Sequence, residues 1–466
     1  MNKLRLRSLL AFLFAFALIA AACGSDSDTA SDDGGSSDDS SSSDDDGSSD
    51  DSSGDDGAAS GLEGTLRVLI HQNPPGVEFF ESFNDDFEAA NPGVNVEMAV
   101  VKADDIPTVN QTRLNANDID VTTISVTGFD KAVQPYMSDV DTPFWQQLIE
   151  AGLLMDLSDQ PYVQNYDEAA IADGSFDGGV YSLGLGRTIY SGVFVNLDLL
   201  ADVGIDVPTT WDELVSACDA VTDAGFKCMI AGGQDGWPVF VGTYGLLGAL
   251  YPDQAGMVEG LWTGDLKWND ERGLELFDRY ATYADMLDAE SAGLTGDSAG
   301  PRFAAGDVAF GPMGAWMAGP IDDAASFEWT YIPFPGADDA ADNQTFFGKY
   351  DMSLAVAAET PVADIAHAYL AAFSDPATYN DFANATNYLP TQPTAELSNT
   401  LGAATAPILQ QGNFAIGQEQ LYVNPKGAGQ WAIGREAALW LYNGDFGDPV
   451  EAANQVQADL ESGLAG

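Results

Sequence analysis

Thr65-Leu66-Arg67-Val68-Leu69-Ile70, followed by His71-Gln72-Asn73-Pro74-Pro75, is the stretch on which the fold turns. The first six residues are β-branched or aliphatic around a single charge and read as a strand. The next five form a polar loop closed by prolines. Phe80, Phe83 and Phe87 then recur at i, i+3 and i+7, the spacing of one apolar helix face, and Asn91-Pro92-Gly93 stops that helix. Val94, Val96, Met98 and Val100 alternate with other residues as in a half-buried strand. A second helix is expected around residues 106–115, ahead of the β-branched run 120–126. This β-α-β-α-β rhythm predicts a doubly wound α/β domain, with ligands expected beyond the carboxyl ends of its strands. By that rule the loop His71–Asn73, with Gln72 and Asn73, faces the same crevice as Phe129 in Thr127-Gly128-Phe129-Asp130.

Further along, residues 143–157 read as one helix, with a stop at Gly152. Two extended runs, 179–187 and 192–196, are separated by glycines and carry the chain into a second domain. Thr210-Trp211-Asp212-Glu213 is a capping box, and Trp211, Leu214, Cys218 and Val221 line one face of the helix it opens. A buried strand is expected at 226–230, and helices at 237–250 and around Leu274, Phe277 and Ala281. The run Arg302 to Trp316 reads as a short helix, the core strand Val308-Ala309-Phe310, and a turn Gly311-Pro312-Met313-Gly314 that presents Trp316. The unit after the glycines is again α/β, and further strands at 327–334 and 352–357 and helices at 361–374, 375–384, 431–442 and 449–460 follow.

The length of 466 residues sets a prior of about two to three domains, and 45% hydrophobic content supplies their cores. The formal charge of −57 opposes nucleic acid or anionic lipid as partners, because both are polyanions. The acidity is not confined to the N-terminus: residues 61–466 carry 60 acidic and 13 basic side chains. A protein that works in salty surroundings is the expectation, since screening softens such self-repulsion.

Residues 1–22 read as a signal peptide, with Lys3, Arg5 and Arg7 ahead of an apolar run ending in Ala20-Ala21-Ala22. Cys23 follows directly, an arrangement similar to a bacterial lipobox, in which the thiol is diacylated and becomes the new N-terminus. The match departs at Ala20, where leucine is commoner. The segment after it, to residue 60, is Ser, Asp, Gly and Ala with little else and no aromatic residue. It cannot offset its ordering entropy by burial and reads as a disordered acidic tether, spanning about 30–35 Å. Outside the cytoplasm, Cys218 and Cys228 point to a disulfide rather than a metal site. Two histidines, these cysteines and scattered carboxylates offer no zinc spacing, and no cofactor motif is present.

Five segments in order resemble the extracellular solute-binding proteins of bacterial ABC importers, in the family that contains the maltose-binding and other sugar-binding proteins. They are Asn91-Pro92-Gly93-Val94-Asn95-Val96-Glu97, Glu150-Ala151-Gly152-Leu153-Leu154-Met155-Asp156-Leu157, Val195-Asn196-Leu197-Asp198-Leu199-Leu200, Pro208-Thr209-Thr210-Trp211-Asp212-Glu213-Leu214 and the run from Phe303 to Trp316. The resemblance covers nearly all of residues 62–460. It implies two α/β lobes joined by a hinge of three crossings, near 186–191, 346–352 and 413–421. Lobe one is then residues 61–187 plus 350–415, and lobe two 188–349 plus 416–466. It further implies a monomeric receptor, held outside the cell membrane by its lipid, that captures a carbohydrate between the lobes and delivers it to the transmembrane subunits of a permease.

Sugar recognition requires flat apolar faces for the CH side of a ring and fixed polar groups for its hydroxyls. Trp237, Trp316 and Trp431 occupy the places where the family carries pocket aromatics. Asp235 and Asp351 are the carboxylates chosen as hydroxyl acceptors, and Arg187 is a rare base beside a crossing. The departure from the family is the pocket itself, whose side chains match no single member, so a polyol, polyamine or peptide is the alternative ligand. Gly296-Asp297-Ser298-Ala299-Gly300 has the form G-x-S-x-G, and a secreted serine hydrolase or glycosidase is the alternative from another class. A serine nucleophile requires a histidine base and, in a hydrolase elbow, a preceding strand. Only His71 and His367 exist and residues 289–295 form a small-residue loop, so the sequence reads as no enzyme.

Overall fold

The computed structural model describes residues 61–125, 134–138, 140, 142–421 and 423–465. The expectations for the signal peptide, Cys23, the tether and Phe129 lie outside the described residues. The first strands are β1 (Gly64–His71), β2 (Val94–Val101), β3 (Val121–Ser125), β4 (Ser175–Phe176), β5 (Gly179–Val180) and β6 (Leu183–Gly184). Next come β7 (Arg187–Ile189), β8 (Gly192–Asn196), β9 (Lys227–Met229) and β10 (Val308–Pro312). The last are β11 (Trp329–Pro333), β12 (Phe346–Tyr350), β13 (Met352–Val356) and β14 (Phe414–Ile416).

The first sheet has the order β2-β1-β3-β13-β6. β1 runs parallel to β2 from Gly64 opposite Val94 to His71 opposite Val101, and parallel to β3. β13 joins β3 antiparallel along all five residues. Side chains of β1 alternate between two cores, as a strand's period of two requires. Leu66, Val68 and Ile70 pack with Phe80, Phe83, Phe87, Tyr369 and Phe373, while Leu69 packs on the other face with Ile106, Leu114, Ile124 and Trp145. Helices therefore cover both faces, as the sequence rhythm requires. The lone charge, Arg67, is satisfied by a two-pronged contact with Asp120, Nε to Oδ2 and Nη2 to Oδ1, both at 2.8 Å. Burial works against the Asp120 carboxylate, but hydrogen bonds from Arg67 and Thr360 outweigh it and hold its pKa below the ordinary range.

The helix Pro74–Ala90 starts with proline in its first turn and ends at Asn91, whose backbone N–H returns to Phe87 and Glu88. Gly93 follows because a Cβ there would lie 2.4 Å from the Leu62 carbonyl oxygen. The second sheet has the order β11-β8-β10-β9 and is also covered on both faces. Val193 and Val195 pack with Trp211, Leu214 and Phe277, and Phe194 packs with Phe303, Tyr331 and Ile321. Thr210 caps the helix Trp211–Asp223 by accepting from the Glu213 N–H, and Glu213 reaches back one residue further than expected, to the Thr209 N–H at 2.8 Å. Cys218 on this helix and Cys228 on β9 form a disulfide, with Cα atoms 4.9 Å apart.

A third, three-stranded sheet, in the order β14-β12-β7, is linked along the chain to both: β7 follows β6 and precedes β8. β12 runs antiparallel to β7 and parallel to β14, then passes through Asp351 directly into β13 of the first sheet. Gly348 permits this pairing, since a Cβ there would meet the Thr188 carbonyl oxygen at 2.0 Å.

Several elements differ from the sequence reading. The helix expected over 143–157 stops at Glu150, and Leu154 bridges Ala357 instead. The run 237–250 is two helices, Trp237–Val241 and Tyr244–Leu250, parted at Gly242, where a Cβ would meet the Pro312 carbonyl oxygen at 2.7 Å. Gly311 and Pro312 belong to β10, so the turn begins only at Met313. Helix near the C-terminus begins at Ala437 rather than at Trp431. Val100 and Phe226, read as strand-face residues, are exposed. Helix Thr400–Leu409 falls within the range read as lobe one, but its Leu401 packs in the core beneath β8 and β11.

Candidate functional site

The carboxyl ends of β1 and β6 and the start of β13 come together at one edge of the first sheet, and a polar cluster gathers there. His71 closes β1, and its Nε2 lies 3.4 Å from the Tyr388 hydroxyl. Asn73, at the N-cap position of the following helix, makes no side-chain cap there and instead donates from Nδ2 to the same hydroxyl at 3.3 Å. Asp351, between β12 and β13, is 3.8 Å from Lys349 Nζ, and its backbone N–H donates to the Gly186 carbonyl. Burial is the main reason the Tyr388 phenol is held well above its ordinary pKa, with the charge of Asp351 next. Burial likewise pushes His71 down, while Asp351 pulls it up and Lys349 adds to the fall.

Lys349 also carries the site toward the second sheet. Its Nζ sits 5.1 Å above the ring of Tyr190, and Tyr190 meets Trp316 edge-on at 5.1 Å. Trp316 is tilted against Trp237 at 6.1 Å. Both indoles rest on glycines: a Cβ on Gly314 would lie 1.8 Å from Trp316, and one on Gly296 2.9 Å from Trp237. Each ring thus lies against a glycine that leaves it room, and each is partly exposed. Polar groups on one sheet and stacking faces on the other are joined by a continuous line of side chains across the crossing strands.

The other expected site residues are placed as follows. Asp235 accepts from the Gly296 N–H at 2.8 Å and so fixes the turn under Trp237. Trp431 packs against Trp440 and Phe446 at 5.0 and 5.1 Å. Arg187 donates to the Pro390 carbonyl at 2.7 Å and lies 3.5 Å from Asp167, which makes it a strut beside the crossing strands. Gln72 is exposed, next to the cluster. His71 was placed at the crevice with its loop but not chosen as a ligand-binding residue, and Lys349, Tyr190 and Tyr388 were missed. Lys349 had a signal, as a rare base in an acidic chain. Ser298 sits in the first turn of helix Gly296–Phe303, where its backbone N–H is capped by Thr295 and its hydroxyl donates to the Thr295 carbonyl at 3.0 Å. His367 bonds Tyr162 on the first sheet's core side.

Residues 83–409 match the family model described as bacterial extracellular solute-binding protein. The chain belongs to that family. An uncharacterized ABC transporter extracellular-binding protein of Pyrococcus horikoshii is 21% identical to this solute-binding protein over 280 residues, 58% of this chain and 61% of that one. A multiple sugar-binding protein of Streptococcus mutans is 27% identical over 153 residues, 33% of this chain and 32% of that one. The chain thus spans less than two thirds of the length of these curated relatives. Among solved structures, a chitin oligosaccharide binding protein superposes with a TM-score of 0.69 at 19% identity, over 87% of this chain and 100% of that one. The solute-binding fold is therefore shared.

Proposed function

We propose that this protein is the carbohydrate receptor of an ABC importer. It captures its ligand between two lobes, residues 61–187 plus 350–415 and 188–349 plus 416–466, with helix Thr400–Leu409 of the first range packed on the second lobe's sheet, and presents it to the transmembrane subunits of a permease. The observation that carries this reading is the line from the His71, Asn73, Tyr388 and Asp351 cluster to the seated indoles of Trp316 and Trp237. It supplies the two things a sugar needs, hydrogen-bonding groups and flat apolar faces. The three-stranded sheet acts as the hinge, because three short strands can absorb rotation without breaking either main core. The relatives' names, a multiple sugar-binding protein and a chitin oligosaccharide binding protein, support a carbohydrate. The receptor performs no chemistry on its ligand, acts as a monomer, and is tethered outside the membrane through acylated Cys23.

A thermal-shift screen across sugars, polyols, polyamines and amino acids tests the reading, since a ligand that prefers the folded state raises the midpoint. A carbohydrate is expected to do so, and Trp316→Ala to weaken its binding by about 10- to 100-fold with little change in the unliganded midpoint. A shift by a polyamine alone overturns the carbohydrate assignment. For the anchor, incorporation of labelled fatty acid is expected and is lost in Cys23→Ala.

A further inference from the structure

The recess between Trp237 and Trp316 is walled by Val241, Ala299, Met313 and Met317, and no carboxylate, amide or hydroxyl side chain lines it. It admits about one water-sized group, too little for a pyranose ring and a match for a methyl. A water there finds too few polar partners to be held, and a sugar hydroxyl placed there loses its hydrogen bonds to solvent without replacement. A methyl gives up nothing and gains contact with polarizable sulfur and indole. Trp316 lines the recess and is itself partly exposed, so a ring stacked on that indole can reach the recess with a single substituent.

We infer that the ligand of this protein carries a methyl substituent, as a 6-deoxy carbon or the end of an N-acetyl group, which seats in the recess between Trp237 and Trp316. This rests on the carbohydrate reading above and narrows it. Ala299 sets the depth of the recess, and the two methionines let it close on the methyl.

Calorimetric titration of the full chain with matched pairs tests the inference. L-fucose is compared with L-galactose, L-rhamnose with L-mannose, and N-acetylglucosamine with N-formylglucosamine, each also as a β-linked disaccharide. The methyl-bearing member of at least one pair is expected to bind about tenfold tighter or more. A preference in the first two pairs identifies a ring methyl, and one in the third an acetyl. Ala299→Val, which fills the recess, is expected to erase that preference by lowering affinity for the methyl-bearing member. Ala299→Ser keeps the volume and adds a hydroxyl, and is expected to narrow the preference should the valine variant fail to fold. Equal binding within every pair overturns the inference while leaving the carbohydrate reading intact. If no sugar binds and Trp316→Ala changes nothing, the carbohydrate reading itself falls.

Discussion

His71 shows how one residue can serve site and stability together. It is buried at the end of β1, facing Tyr388, Asp351 and Lys349, and its Nδ1 has no hydrogen-bond partner among the described residues. Its pKa lies below the usual 6.5, so the unfolded chain binds the proton that the folded chain refuses. Stability contributed by the neutral ring is complete above pH 6.5 and is lost as the pH falls below that value toward the folded pKa. The urea midpoint is therefore expected to drop on acidification from pH 7.5 to 5.5, and less steeply in His71→Gln. His367 is shifted the same way by partial burial, so His367→Gln is the control. Coincident pH profiles for wild type and His71→Gln remove His71 from this role. At this scale Trp316 and Trp237 could be singled out from the sequence, because a glycine-rich turn beside an aromatic is a local pattern. Tyr190 and Tyr388 were not, since what marks them is proximity to residues far away in sequence.

Elements were legible wherever one period held over several turns, as in the Phe80, Phe83, Phe87 face. They were misread where a packing neighbour overruled the pattern, as at Gly242, which β10 crowds at Pro312. The disulfide pins helix Trp211–Asp223 to β9 across a sequence separation of 10 residues. Closing so short a loop restricts the unfolded chain by about 2–3 kcal/mol. Cys218→Ser with Cys228→Ser is expected to lower unfolding stability by that amount in guanidinium titrations, with reductant having no further effect on the variant. In the three-stranded sheet, Gly348→Ala forces β7 away from β12. A loss of about 1–3 kcal/mol is expected together with weaker ligand binding. A variant that keeps full affinity would show that the crossing strands do not set the spacing of the two half-sites.

Across the whole molecule, charge is the dominant quantity that composition alone revealed. Most of the few bases are tied into contacts: Lys227 and Arg302 share Glu290 and Asp307, Arg279 joins Glu275 to Asp338, and Lys267 meets Glu461. The remaining carboxylates repel one another over distances that salt can screen. Raising KCl from 0.1 to 1 M is expected to move the urea midpoint upward. A flat response would mean that the excess charge is already spread too widely to matter. The doubly wound class was legible because βαβ units are local. The closure of the first sheet is not a local pattern, because β13 arrives only after the entire second sheet; only the family resemblance put residues 350–415 with lobe one.

That late arrival bears on how the chain must be made. Until residue 356 is available, β3 presents an unpaired edge whose Val121, Thr122, Thr123 and Ile124 are destined for full burial. An open, apolar strand edge is a template for pairing with other chains, and non-local pairing is slow to form. The N-terminal three-quarters of the polypeptide therefore cannot finish folding as it emerges, and truncation before β13 is expected to yield aggregates. Such an order of assembly suits a chain handed across a membrane in extended form and released to fold only once most of its length has passed.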